Sequence, residues 1–210
     1  MKHLFLDMET MGKKVNDCAV IDCSVLTVTS EKMLSDDPYT CKSILGVKKF
    51  KLSIRDQVDN YGWKVYDDTI QFWQAQGEEA RKLIKPLKTD ITVKTFCDQF
   101  LSYLTDQGKI HRWWTRSNTF DPPIVWRLVE SQGKEDFVHN IIPHFNLREV
   151  RTYIDAKLDY PPENGFCPIA DKEFWDKVFI KHDSSWDVLA DALRMQAIIR
   201  AENDLEQVKR

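Results

Sequence analysis

The sequence predicts an α/β domain in which a mixed β-sheet is flanked by helices. Two runs near the amino terminus, His3 to Asp7 and Ala19 to Val28, are apolar and β-branched enough to read as strands. Helical spacing then appears, most clearly where Phe96, Phe100 and Leu104 follow one another at i+4. The resulting order, three strands, two helices, then strand, helix, strand and two helices, suggests a mixed sheet with helical layers.

Each element has a local reason. Residues 12–17 form the turn of a hairpin between the first two strands. Residues 31–66 are broken by polar clusters, Pro38 and Gly62, and read as an irregular insertion with one further strand around Phe50 to Ile54. Thr69 to Leu83 has helical character, with Asp68 or Thr69 as its cap, Ile70, Trp73 and Ala80 among its apolar positions, and Gly77 as an interruption. Thr92 to Leu104 is an amphipathic helix ended by Gly108, and Ile110 to Thr115 is a buried strand. Pro122 and Pro123 occupy first-turn positions that tolerate proline, so Asp121 falls at a strand-to-helix junction. A strand around Phe145 to Leu147 leads into a helix through Leu158, Tyr160 to Gly165 marks a loop, and Ser184 to Ala201 is the last helix. In that helix Trp186, Ala190, Leu193 and Ala197 define the expected buried stripe.

Composition narrows the class. The 210 residues suit a single domain over 1–210, with 42% hydrophobic and 30% charged residues. No apolar run approaches the ~20 residues of a membrane span. Asp7 arrives too early for the ~7–15-residue apolar core of a signal peptide, which predicts a cytoplasmic protein without membrane partners. The five cysteines contain no C-x-x-C pair and read as reduced thiols. A net charge of −3 argues against extended electrostatic gripping of DNA, although a processing enzyme can neutralise phosphate with bound cations.

The chemistry lies in three acidic motifs. Asp7 and Glu9 are two apart on a strand, so both leave the same face of the sheet, where their repulsion is costly unless a divalent cation sits between them. Taken alone, the pair also fits a solvated strand end. Asn118-Thr119-Phe120-Asp121 places a third carboxylate at a helix start, where a simple cap is the plainer explanation. Asp187 follows His182 by five residues; Ser184 to Asp187 also fits a capping box, and His182 on the entering loop also fits a solvated side chain. Gathered by a fold, the four carboxylates would make an oxygen-lined pocket for two hard cations, a phosphodiester-cleaving arrangement.

In this order the three segments resemble the Exo I, Exo II and Exo III motifs of the DEDDh exonucleases, the superfamily that includes the DnaQ proofreading subunit and RNase T. Thr69 to Trp73, Glu79 to Arg81, Trp114 to Asn118 and Arg148 to Thr152 further resemble the phage-type exonuclease A branch, which would place a phage-encoded copy in the host cytoplasm. The resemblance implies a ribonuclease-H-like fold with a five-stranded mixed sheet. It implies that Asp7, Glu9, Asp121 and Asp187 ligate two Mg²⁺ or Mn²⁺ ions, and that His182 is the general base. Thr10, Asn118 and Phe120, within the motifs, are expected to contact substrate. Trp73 is either a stacking platform for a terminal base or a core residue. Arg116, Arg148 and Arg151 fit phosphate contacts or structural ion pairs equally. The expected partner is a single-stranded 3′ end, because no duplex clamp is visible, and DNA is favoured over RNA without a sequence feature that settles the choice. Rival readings are an exoribonuclease, an internal-cutting nuclease of the same fold, and a non-catalytic nucleic-acid-binding domain; a binder gains nothing from clustered acids facing a polyanion. No feature selects between monomer and homodimer.

Overall fold

A computed structural model describes residues 1–35, 41–158 and 176–208, so the loop expected at Tyr160 to Gly165 lies outside the described residues. Five strands form one mixed sheet in the order β3-β2-β1-β4-β5. Strands β1 (Lys2–Thr10) and β2 (Val20–Thr29) pair antiparallel from Lys2 opposite Thr29 to Glu9 opposite Asp22, after which the register shifts between Glu9 and Thr10. Such irregularities re-aim side chains beside active sites. Strand β3 (Lys48–Lys51) adds antiparallel to β2, while β4 (Arg112–Thr115) and β5 (Leu147–Glu149) add parallel on the far side of β1.

Alternation along β1 decides which layer each side chain joins. Leu4, Leu6 and Met8 enter a core with Phe96 and Phe100 of α5 (Val93–Gln107) and with Ile124 and Leu128 of α6 (Asp121–Glu130). Phe5 points the other way, into a second core with Val150 and Ile154 of α8 (Val150–Lys157) and Val188, Leu189 and Ala192 of α9 (Ser184–Val208). Asp7 and Glu9 continue the Phe5 side, so their carboxylates rise beneath the start of α9. Gly12, just past the strand, leaves room for Tyr66: a Cβ there would stand 2.3 Å from the tyrosine Cδ2.

Several expectations are corrected. The segment read as an irregular insertion contains α1 (Ser30–Leu34), a 3₁₀ turn (Cys41–Gly46), β3 and α2 (Ile54–Tyr61). The strand lies at 48–51 rather than 50–54, because Ser53 caps α2 by accepting from the Asp56 amide at 3.1 Å. Helix α2 is mostly polar and is secured by buried Gln57, whose amide group accepts from the Val20 amide and donates to the Val20 carbonyl. The predicted helix over 69–83 is two helices, α3 (Asp67–Gln74) and α4 (Glu78–Leu83), divided before Gly77. Helix α7 (Glu135–Ile141), which buries only Val138, had no sequence signal. The strand around 145–147 begins instead at Leu147, after a 3₁₀ turn that leaves Phe145 67% exposed. In α9 the stripe is broader than predicted and Ala197 is exposed, because burial runs around the helix from Val188 to Met195 where it crosses the sheet. Among the described residues, no helix is long and apolar enough to cross a membrane.

Candidate active site

Three of the predicted carboxylates converge. Asp7, Glu9 and Asp187 each present an oxygen such that all three lie within 4.8 Å of one another. The hairpin register supplies two of them and the first turn of α9 supplies the third. Asp121 opens α6 just after β4, the parallel neighbour of β1, and is 4% exposed. Its charge bears on both Asp7 and Glu9.

The cluster cannot carry its full negative charge unaided. Burial, followed by the charges of Asp187, Asp121 and Glu9, holds Asp7 well above the usual carboxylate range. Glu9 is raised likewise by burial and then by Asp187 and Asp22. Burial lifts Asp187 to about 7 and Asp121 to about 8, with Asp191 adding to both and Arg116 and Arg194 opposing the rise at Asp187. Acidic oxygens this close, partly open to solvent and without enough cationic side chains among them, form the donor set that a hard divalent cation prefers.

His182 stands at the edge of this group. Its Nδ1 is 3.9 Å from Oε1 of Glu9, and its ring meets Phe72 edge to face at 5.1 Å and Trp73 at 6.1 Å between centroids. Burial, then the charge of Lys181, lowers its pKa, so the imidazole is neutral at neutral pH. Its φ of 65° lies in the left-handed region, which a residue with a Cβ adopts only when its surroundings hold it there.

The expected substrate residues separate. Trp73 is 1% exposed, sits in a core with Met11, Ala19, Ile21 and Ala80, and donates its indole N–H to the Thr10 carbonyl at 3.2 Å. A ring so enclosed cannot stack a base, which corrects the platform reading; its exposed neighbour is Phe72. The Thr10 hydroxyl donates to the Gly12 carbonyl, Asn118 Oδ1 accepts from the Thr115 hydroxyl, and Phe120 leans on the core. The arginines serve the scaffold: Arg116 pairs with Asp191, Arg148 donates to the Phe145 and Leu147 carbonyls, and Arg151 donates to the Arg116 carbonyl.

Sequence reasoning also missed a polar cluster behind the site. Asp22 faces Glu9 across the hairpin and accepts from Ser184 Oγ at 2.6 Å, while Lys49 reaches both Asp22 and Asp183. The available signal was Asp22 itself, a lone acid in the apolar run from Ala19 to Val28. The capping box also resolves differently. Ser184 is spent on Asp22, and Asp183 caps α9 by accepting from the Ser185 amide at 2.9 Å, which frees Asp187 to face the other acids.

Known proteins share this fold. The fold is that of E. coli exonuclease I: one structure, in complex with a dA13 oligonucleotide, superposes with a TM-score of 0.60 at 16% identity, covering 95% of this chain and 40% of that one. A second, with a dT13 oligonucleotide, gives 0.56 at 15% identity, covering 95% and 40%. This chain therefore spans about two fifths of the length of those structures. An exodeoxyribonuclease of Enterobacteria phage T4 is 29% identical over 222 residues, covering 98% of this chain and 92% of that protein. Fold, motif order and relatives together define a DnaQ-like 3′-5′ exonuclease with the ribonuclease-H-like fold. Within that class, residues 2–199 match the family model described as the 3′-5′ exoribonuclease Rv2179c-like domain, and the chain belongs to that family.

Proposed function

We propose that this 3′-5′ exonuclease removes 5′-mononucleotides from single-stranded 3′ ends, with DNA preferred, and that Asp7, Glu9, Asp121 and Asp187 hold two divalent cations, Mg²⁺ or Mn²⁺. The observation that carries this reading is the set of oxygens from Asp7, Glu9 and Asp187 within 4.8 Å, in an environment that disfavours their ionisation. Bound cations would offset that charge and supply the Lewis acidity that phosphodiester hydrolysis needs.

The chain's own groups do the rest. His182, neutral and beside Glu9, takes a proton from the attacking water on the nitrogen that faces the acids, Nδ1. Water oxygen bonds to phosphorus, the bond to the 3′ oxygen breaks, the phosphate leaves on the released nucleotide, and the 3′ oxygen stays on the shortened strand and takes up a proton from solvent to become its new hydroxyl end. Phe72, 43% exposed and touching His182, stacks the terminal base, while buried Trp73 fixes the wall behind it. Lys13, Lys14, Asn16, Ser117, Thr119 and Phe120 line a groove of about 620 Å³. This groove is the path of the preceding nucleotides, and Thr10, next to Glu9 in the chain, and Asn118, three residues before Asp121, contact the substrate.

The phage T4 relative, named an exodeoxyribonuclease and matched along nearly the whole chain, supports the DNA preference. The family description favours a second reading, RNA. Degradation of end-labelled single-stranded DNA and RNA of one sequence, side by side with Mg²⁺ and with chelator, decides between them. Shortening from the 3′ end of DNA, faster than RNA and abolished by chelator, is the expected result; equal or faster loss of RNA would overturn the preference, and products cut from the 5′ end would overturn the polarity.

A further inference from the structure

The Lys49 ammonium lies between two acids from different parts of the fold. Its Nζ is 3.1 Å from Asp22 Oδ2 and 2.8 Å from Asp183 Oδ1. Asp22 is fully buried on β2, opposite Glu9, and its other oxygen accepts from Ser184 Oγ at 2.6 Å. Ser24, opposite Asp7, meets the Ser184 hydroxyl at 2.6 Å and the Ser185 hydroxyl at 3.0 Å. Asp183 follows His182 directly and caps α9, and its carbonyl accepts from the Asp187 amide at 3.0 Å. One polar clasp thus joins edge strand β3, its neighbour β2 and the turn that carries His182 into the helix of Asp187.

We propose that Lys49 is a positioning residue for His182, acting by tying Asp183 to Asp22 so that the turn holds the histidine over Glu9. The inference rests on the reading of His182 as general base. Three features carry it. The His182 backbone is in the left-handed region, which an untethered turn would leave. Asp183, the residue bonded to His182, is held through its side chain, whose Oδ1 accepts from both Lys49 Nζ and the Ser185 amide at the helix start. Asp22, which interrupts an apolar strand, has its carboxylate directed at the clasp, with one oxygen on Ser184 and the other beside Lys49. Edge strand β3 is what brings Lys49 to this position, since Lys49 stands opposite Ser24 in the sheet.

The test is a double-mutant cycle of Lys49→Met and His182→Ala, with kcat and KM measured on a single-stranded oligonucleotide in saturating Mg²⁺. Lys49→Met should lower kcat about 10- to 100-fold, the usual effect of disturbing a support of a catalytic group, with KM changed less than about threefold. In the His182→Ala background the same substitution should cost less than about threefold, because its route of action is already gone. An equal loss in both backgrounds, or an unchanged kcat in the single variant, overturns the proposal. A normal kcat for His182→Ala alone overturns the general-base reading in its own arm, and the positioning role with it. Should Lys49→Met not fold, Asp22→Asn with Lys49→Met removes the buried pair as a unit. That variant should melt near the wild type and show the same loss of kcat; a wild-type kcat there overturns the clasp.

Discussion

Phe72 and Trp73 are adjacent on α3, yet one is 43% exposed and the other 1%, and both rings lie against His182. Of the two alternatives open to Trp73 in the sequence, the fold selects core, and the platform proposed in its place is Phe72. Phe72→Ala should raise KM for single-stranded substrate about tenfold, in line with the ~1–3 kcal/mol worth of a base stacked on an aromatic ring, and leave the melting temperature nearly unchanged. Trp73→Ala should cost ~3–5 kcal/mol of stability as a core truncation. Thermal melts and Michaelis curves on both variants check this; an unchanged KM for Phe72→Ala removes it from the substrate site.

Neutralising the acids separates catalysis from folding. Asp7→Asn, Glu9→Gln, Asp121→Asn and Asp187→Asn should each lower turnover by orders of magnitude. Without metal they should melt at or above the wild-type temperature, because each removes a like charge from a buried group. If any two keep near-native turnover in saturating Mg²⁺, the assignment of metal ligands fails.

For His182, the sign of the pH dependence follows from its environment. Burial lowers its pKa below the ordinary 6.5, so the active, neutral form fills as pH rises through a value below 6.5 and the rate should level off by neutrality. His182→Ala should lower kcat by ~10²–10⁴ and lose that acidic limb. A variant with the wild-type pH profile would exclude His182 as the base.

Metal binding should appear in stability. Asp187 and Asp121, raised to about 7 and about 8, stabilise the fold fully below their unfolded value of 3.8, and that contribution is lost as pH rises through their folded values. In chelator, the melting temperature should therefore fall between pH 6.5 and 8. Mg²⁺ should raise it more at pH 8 than at pH 6.5, since the cation binds the ionised acids. Equal Mg²⁺ shifts at the two pH values would contradict a site built on these carboxylates.

At lower pH the sign reverses for His3. Burial, then the charge of Arg112, lowers its pKa to about 4, and its Nδ1 accepts from the Trp114 indole at 3.1 Å, a bond that protonation breaks. Its stabilisation is complete above 6.5 and is lost as pH falls toward 4, up to ~3 kcal/mol. Between those values it opposes the carboxylate trend, so the comparison is made against His3→Gln. That variant should be less stable at pH 7 and lose less on acidification to pH 4.5; parallel melting curves would remove His3 from the acid response.

The sequence by itself determined what short-range periodicity and chain order can carry. Strand alternation puts Asp7 and Glu9 on one face, the spacing of Phe96, Phe100 and Leu104 makes an amphipathic helix, and Pro122 with Pro123 places Asp121 at a helix start. The order of the motifs then carried the resemblance to the exonuclease class. Only the tertiary structure decided which side of α3 turns outward, because a short helix carrying adjacent Phe and Trp is rotated by what packs against it and has no pattern of its own to fix the choice. The same reason hid α2, held by Gln57 to a strand 37 residues away, and the clasp of Lys49, Asp22 and Asp183, in which Asp183 lies 134 residues from Lys49 and Ser184 lies 162 from Asp22. Pairings at that separation leave no local period, since each residue looks like an ordinary solvated polar side chain until the sheet brings its partner within 3 Å or so.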